Sequence, residues 1–117
     1  MTETKQIPKE EWEAYFDQFS KEHLRDDSPE AAKIEVVSPR IGAQVETEGA
    51  LLLGVSYDPK SKAFEVLLEG VDHLVFEPKE IWVVGDEGSL PSIEVVREDG
   101  TKEILTLRRT GLPVPRS

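Results

Sequence analysis

The sequence predicts an α+β domain in which an N-terminal amphipathic helix is followed by five to seven short antiparallel strands, arranged as a bent sheet or a small barrel. Aromatic residues recur at helical spacing near the start of the chain. From residue 33 onward, apolar residues alternate with polar ones, which is the period of a strand. Gly, Pro and Asp separate the alternating segments at short intervals, a pattern typical of sequential antiparallel strands.

The helix is predicted over residues 8–24. Pro8 suits its first turn, where the missing N–H has no partner to lose. The apolar stripe, at spacings of three, four and seven, consists of Trp12, Tyr15, Phe16 and Phe19. Such a stripe indicates a helix packed on its own sheet. Residues 1–7 are polar and carry no comparable pattern, so we expect a frayed N-terminus.

The strand candidates follow in order along the rest of the chain. They cover residues 34–36, 43–47, 51–57, 64–68, 71–76, 80–84, 93–97 and 102–108, and the segment 43–47 is either a second strand or the continuation of the first after a bulge. Asp99-Gly100 between the last two predicts a two-residue hairpin turn. One domain is therefore expected over residues 8–109. Residues 110–117 contain a glycine and two prolines and are expected to form an extended or disordered tail.

Composition excludes several classes of function. A formal net charge of -10, from 24 acidic and 14 basic residues, repels phosphate groups, so nucleic acid and anionic lipid are not expected partners. Cysteine is absent, which excludes disulfides, thiolate metal sites and a cysteine nucleophile, and suits a cytoplasmic protein. No apolar stretch approaches the ~18 residues of a membrane span.

The balance of residue types is typical of proteins from hot environments. Asparagine and cysteine are absent, and glutamate far outnumbers aspartate. We therefore expect high thermal stability. Melting near 50 °C, which is ordinary for mesophilic domains, would contradict this expectation.

Residues able to do chemistry are few. His23 and His73 are the only histidines and cysteine is absent, so a zinc site is not expected without carboxylate ligands. The sequence carries neither a dinucleotide-binding fingerprint nor a phosphate-binding loop, so no cofactor is expected. His73 follows Asp72, and either Asp72 or Glu77 is a candidate to orient it as a general base. Asp72 points to the opposite face if this segment is a strand, although a turn would remove that objection. The alternative is a structural or surface histidine whose ring forms a hydrogen bond with a nearby backbone group.

Several segments resemble a family of small bacterial proteins known only as a domain of unknown function. They are Pro8-Lys9-Glu10-Glu11-Trp12, Leu53-Gly54-Val55-Ser56-Tyr57-Asp58-Pro59, Leu68-Glu69-Gly70-Val71-Asp72-His73-Leu74, Pro78-Lys79-Glu80-Ile81-Trp82-Val83 and Ile93-Glu94-Val95-Val96. The resemblance covers roughly residues 7–108. It implies a soluble bacterial protein of one domain. No activity comes with that family, so the resemblance assigns no catalytic residue.

Three hypotheses for the function remain open. The first is a non-enzymatic module that binds a protein partner or a second copy of itself through free strand edges. The second is a sensor or carrier with a small molecule between helix and sheet. The third is an enzyme that uses Asp72 and His73. The scarcity of nucleophiles, bases and metal ligands at recognisable spacings favours the first.

Overall fold

The computed structural model describes residues 2–23, 30–86 and 91–109. In chain order the elements are β1 (Thr2–Ile7), a 3-10 turn (Lys9–Glu11), α1 (Trp12–His23), β2 (Glu30–Ser38), β3 (Gly42–Asp58), β4 (Ala63–Leu68), β5 (Val71–Phe76), β6 (Glu80–Asp86), β7 (Ser92–Val96) and β8 (Lys102–Arg109). The α+β class, with a helix near the N-terminus and an antiparallel sheet, is confirmed. Seven of the eight described strands follow the helix.

The eight strands form one open, bent sheet. Their order is β1-β6-β7-β8-β2-β3-β4-β5, and the neighbouring strands are antiparallel. The 17-residue β3 pairs with β2 up to Leu51 and with β4 from Leu52 onward. The register shifts between Leu52 and Gly54, where a bulge lets the strand change direction. One continuous strand therefore replaces the two predicted over 43–47 and 51–57, and it carries the chain from one layer of the sheet to the other.

Helix α1 closes the core between these layers through its aromatic stripe. Trp12, Phe16 and Phe19 are buried. The Trp12 ring meets Tyr57 edge-to-face at 5.0 Å, and Phe16 meets Phe64 in the same way at 5.1 Å. Such pairs add about 0.5–1.5 kcal/mol each beyond the area they bury. The predicted stripe is confirmed, with Tyr15 only partly buried.

Helix α1 also satisfies the backbone of β3 where β2 no longer pairs with it. Among the described residues, the pairing of β2 with β3 reaches no further than Leu51. Four residues on, the Ser20 hydroxyl donates to the Val55 carbonyl at 2.7 Å and accepts from the Val55 N–H at 3.1 Å. A strand backbone left without partners is costly when part-buried. Ser20 therefore takes the place of a neighbouring strand.

The expectation of a frayed N-terminus was wrong. Residues Thr2–Ile7 form β1, which pairs with β6 in a register that sets Ile7 opposite Ile81. Ile7 is 2% exposed, and its carbonyl accepts a hydrogen bond of 2.8 Å from the Trp12 indole N–H. The segment is polar and shows no strand period. Pairing with β6 and burial of its last residue order it instead.

The two-residue turn predicted at Asp99-Gly100 was also wrong. The Arg97 N–H donates to the Thr101 carbonyl at 2.8 Å, and the Gly100 N–H donates to the Arg97 carbonyl at 3.0 Å. Gly100 has φ +86°, the left-handed conformation that closes a three-residue loop after a type I turn. Arg97 therefore ends the pairing of β7 beside the start of β8.

The expected tail over residues 110–117 lies outside the described residues, and the assignment of residues 8–109 to one domain stays a prediction. Across the described ranges, no helix combines the length and the apolar character that crossing a membrane requires. The bent sheet and the helix are thus the frame on which any functional site must be found.

Candidate functional site

Two polar side chains share the inward face with apolar residues of their own strands. On β5, His73 lies on the same face of the strand as the buried Val75. On β8, Glu103 lies on the same face of the strand as the buried Leu105 and is itself only 6% exposed. Because side chains alternate along a strand, both polar groups point into the space between the two layers.

The bend of the sheet brings these side chains into contact. Strands β5 and β8 are separated by β4, β3 and β2, which in a flat sheet is about 19 Å, or four strand spacings. Yet His73 Nε2 lies in hydrogen-bonding contact with Glu103 Oε1. The Arg97 guanidinium approaches the other carboxylate oxygen of Glu103 at 3.6 Å. The three residues form a charged bridge across the open side of the sheet.

The hydrogen bond to Glu103 is the largest influence on the histidine and raises the pKa of His73 above its ordinary value. Partial burial opposes this, because it disfavours the charged imidazolium. The charges of Glu103 and Glu46 raise the pKa of His73 further, and the charge of Arg97 lowers it. The protonated histidine is therefore the form that the site stabilises.

The space beside this bridge is small and apolar. Besides His73 and Glu103, the lining consists of Ile34, Phe64, Val66, Val75, Val95 and Leu105. Its volume is about 10 Å³, which is about the room that one water molecule needs. This space is too small for a substrate, and the His73 side chain is 22% exposed. The arrangement supports a cross-link between layers better than a catalytic base.

The two residues proposed from sequence to orient His73 lie elsewhere. Asp72 is on the opposite face of β5, where its carboxyl group hydrogen bonds to Glu65. Glu77 is in the turn after β5, has φ +51°, and its N–H donates to the Lys62 carbonyl at 2.7 Å. Sequence reasoning missed Glu103 as the partner. The sequence did contain a signal for it. Glu103 is two residues before Leu105 and four before Leu107, so on a strand it lies on the same buried face as these leucines.

The space between helix and sheet is occupied by side chains. The rings of Trp12, Phe16, Tyr57 and Phe64 meet there. A groove of about 170 Å³ runs beside the helix, lined by Tyr15, Gln18, Phe19, Glu22 and Pro91. Typical small-molecule pockets have about 300–1,000 Å³. Within the part of the chain that the structure describes, no three His, Asp or Glu side chains converge to hold a metal ion.

The outer face of β4 and β5 carries a different kind of feature, an exposed apolar surface. We call it the β5 strip, and it consists of Leu67, Leu74 and Phe76, which are 40%, 41% and 62% exposed. All three share one face, because Leu74 pairs with Glu65 and Phe76 pairs with Ala63 in the ladder. Strand β5 is also the last described strand of the sheet, so this surface adjoins an open ladder edge.

Two carboxyl groups interrupt the β5 strip. Glu65 on β4 and Asp72 on β5 are diagonal neighbours on the outer face, and we call them the acid pair. A hydrogen bond that the protonated Glu65 carboxyl group donates to Asp72 is the main reason why the pKa of Glu65 is raised; loss of hydration and the charge of Asp72 add to this, and a hydrogen bond with Ser56 opposes it. The two carboxyl groups are therefore close enough for the charge of Asp72 to disfavour ionisation of Glu65.

Comparison with known proteins identifies sequences that are similar to this chain. A family model with the description "Family of unknown function (DUF5335)" matches residues 3–114. A protein of Aquifex aeolicus (strain VF5), described as an uncharacterized protein, is 46% identical over 113 residues, which cover 96% of this chain and 97% of the relative. No solved structure matches the chain.

Proposed function

We propose that this chain, which belongs to the family of unknown function DUF5335, is a protein-interaction module that binds an extended protein segment at the edge of β5. The observation that carries the proposal is the coincidence of an end strand with the β5 strip. In strand addition, backbone hydrogen bonds supply affinity and alternate side chains supply specificity. β5 offers both on one surface.

Natural proteins usually protect such edges with charges, prolines, bulges or a covering segment. The other end strand, β1, follows that rule, since Glu3, Thr4, Lys5 and Gln6 are all exposed. β5 instead exposes Leu74 and Phe76. The two end strands therefore differ, because β5 exposes large apolar side chains beside the charge of Asp72 whereas β1 exposes polar ones. This difference supports a role of the β5 edge in binding.

The alternatives receive less support. A small-molecule carrier needs a cavity, and the groove beside α1 is smaller than typical ligand sites. An enzyme using His73 would have Glu103, not Asp72, as the orienting group, and it would need more room beside the imidazole. Absence of nucleic-acid partners and a cytoplasmic location remain predictions from charge and composition.

The proposal is tested by selecting a displayed library of seven-residue peptides against the full chain. Leu74→Lys places a charge on the exposed outer face of β5, and Thr4→Lys places the same charge on β1 as a matched control. We expect the wild-type protein and Thr4→Lys to enrich peptides with alternating apolar residues, and Leu74→Lys to lose them. Absence of enrichment, or equal enrichment by Leu74→Lys, would reject β5 as the binding edge.

A further inference from the structure

The acid pair suggests the chemistry of the bound segment. Glu65 and Asp72 stand beside the same edge as the β5 strip, and their mutual hydrogen bond raises the pKa of Glu65. A strand added to β5 would lie directly against the outer-face residues of that strand, which are Asp72, Leu74 and Phe76. It would bring a side chain of its own next to each of them, at about 4.5–5.5 Å between Cβ atoms.

Burying the acid pair against an uncharged partner carries a cost. Carboxylates moved out of water need a counter-charge or hydrogen-bond donors. Lys or Arg opposite Asp72 supplies both. Apolar residues opposite Leu74 and Phe76 cover the hydrocarbon surface that these side chains expose, 41% and 62% of each residue. The two requirements fall at alternate positions of one segment.

We infer that the edge of β5 recognises an extended segment of another protein that carries Lys or Arg opposite Asp72 and apolar residues opposite Leu74 and Phe76. This inference rests on the proposed function. In sequence terms the segment has the pattern apolar, any, apolar, any, Lys or Arg, read in the direction that antiparallel or parallel pairing sets.

A second copy of this chain fits the same edge less well. The outer face of β5 offers Asp72, Leu74 and Phe76 and no cation, so a symmetric pair of β5 strands leaves each acid pair without a counter-charge. The net charge of -10 on each chain adds repulsion between copies. Acidic residues also stand at both ends of the strand, at Glu69 and Glu77. The charges at this surface therefore favour a basic partner over a second copy.

The test repeats the peptide selection with the double variant Glu65→Gln/Asp72→Asn. The matched control is Glu10→Gln/Glu13→Gln, which removes the same charge from exposed positions of the N-terminal helical region. We expect wild type and the control to enrich apolar peptides with Lys or Arg at the predicted position. We expect the double variant to keep the apolar alternation and to lose the basic preference.

Affinity measurements on a selected peptide make the result quantitative. Replacing its basic residue with Glu is expected to weaken binding to wild type about three- to tenfold at low salt, the size of exposed charge–charge effects. The difference is expected to shrink at 1 M salt. It is also expected to shrink in the double variant, whose melting temperature is measured to show that it is folded.

The outcomes separate the two proposals. Enrichment of alternating apolar peptides without a basic residue by wild type, the control and the double variant, but not by Leu74→Lys, overturns this inference and leaves the binding edge in place. No enrichment by wild type overturns both. A concentration-dependent dimer in sedimentation, abolished by Leu74→Lys, identifies a second copy as the occupant and also overturns the inference.

Discussion

The two end strands of the sheet, β1 and β5, occupy equivalent positions and have opposite surface chemistry. β1 presents exposed Glu3, Thr4, Lys5 and Gln6. β5 presents exposed Leu74 and Phe76 on its outer face. Each of these strands pairs with one neighbour only among the described strands, and their side chains decide whether the other edge repels or accepts another strand.

The same two strands are also attached to the core by different forces. β1 is held by burial of Ile7 and by the hydrogen bond from Trp12 to the Ile7 carbonyl, neither of which titrates near neutral pH. β5 is held in part by the contact between His73 and Glu103. We therefore expect the anchoring of β1 to be independent of pH and that of β5 to depend on it.

The largest expected effect comes from removing the anchor of β1. Trp12 is 1% exposed, so Trp12→Ala is expected to lower the free energy of unfolding by about 3–5 kcal/mol, as for other buried large aromatics. Trp12→Phe keeps most of the packing and loses the indole N–H. Urea unfolding gives the free energies, and hydrogen exchange in Trp12→Phe should rise in β1 and not in β5. A loss that varies strongly between pH 6 and 9 would contradict the comparison.

The next effect concerns the charged anchor of β5. The pKa of His73 is raised in the folded protein, chiefly by its hydrogen bond to Glu103. Its contribution to stability is therefore fully present below the unfolded value of about 6.5 and is lost as pH rises through the higher folded value. We expect His73→Gln to cost about 1–3 kcal/mol at pH 5.5 and less at pH 9.

Urea unfolding of wild type, His73→Gln, Glu103→Gln and the double variant measures the coupling between the two side chains. The coupling is expected to be favourable at pH 5.5 and to fall as His73 deprotonates. Trp12→Phe, measured at the same pH values, serves as the control that should not change. A coupling of zero at pH 5.5 would show that the bridge does not hold β5.

A smaller loss is expected where the helix replaces a strand. Ser20 makes two hydrogen bonds to the backbone of Val55. Ser20→Ala leaves both backbone groups without these partners, so we expect a loss of about 1–2 kcal/mol. The control is Ser61→Ala, which removes a hydroxyl bonded to the exposed side chain of Asp58 and should cost much less. Equal losses for the two variants would mean that Ser20 does not protect the edge of β3.

Local sequence patterns predicted the elements that carry a period of their own. The aromatic stripe of α1 and the alternating segments from β4 to β8 are present as expected. β1 was not predicted because Thr2-Glu3-Thr4-Lys5-Gln6 has no apolar alternation. That strand forms because its backbone pairs with β6, and this pairing depends on the tertiary structure and not on the sequence of the segment.

The candidate sites were predictable to different degrees. His73 was recognised as unusual, but its partner Glu103 lies four strands away in the sheet and 30 residues away in the chain. Their contact depends on the change of direction in β3 near Leu52, which local patterns do not encode. The β5 strip was missed because exposed and buried apolar residues look alike in sequence. Only the strand order reveals which strand lies at the edge.

The smallest expected change in stability comes from altering the edges themselves. Phe76 is 62% exposed, so Phe76→Ser is expected to cost less than about 1 kcal/mol, since large effects need buried groups. Lys5→Val converts an exposed position of β1 into an apolar one at a similarly low cost. The two variants should nevertheless differ in association, because the first reduces the apolar surface beside one edge and the second increases it beside the other.

Light scattering at a fixed protein concentration, recorded just below the melting temperature, measures this difference. Relative to wild type, we expect Phe76→Ser to scatter less and Lys5→Val to scatter more. Lys5→Ser, which keeps β1 polar, should match wild type and so separates the loss of a charge from the gain of an apolar group. If Phe76→Ser scattered as much as wild type, the apolar surface at β5 would not govern contacts between molecules. The two edges would then differ in their side chains, but this difference would not affect association between molecules.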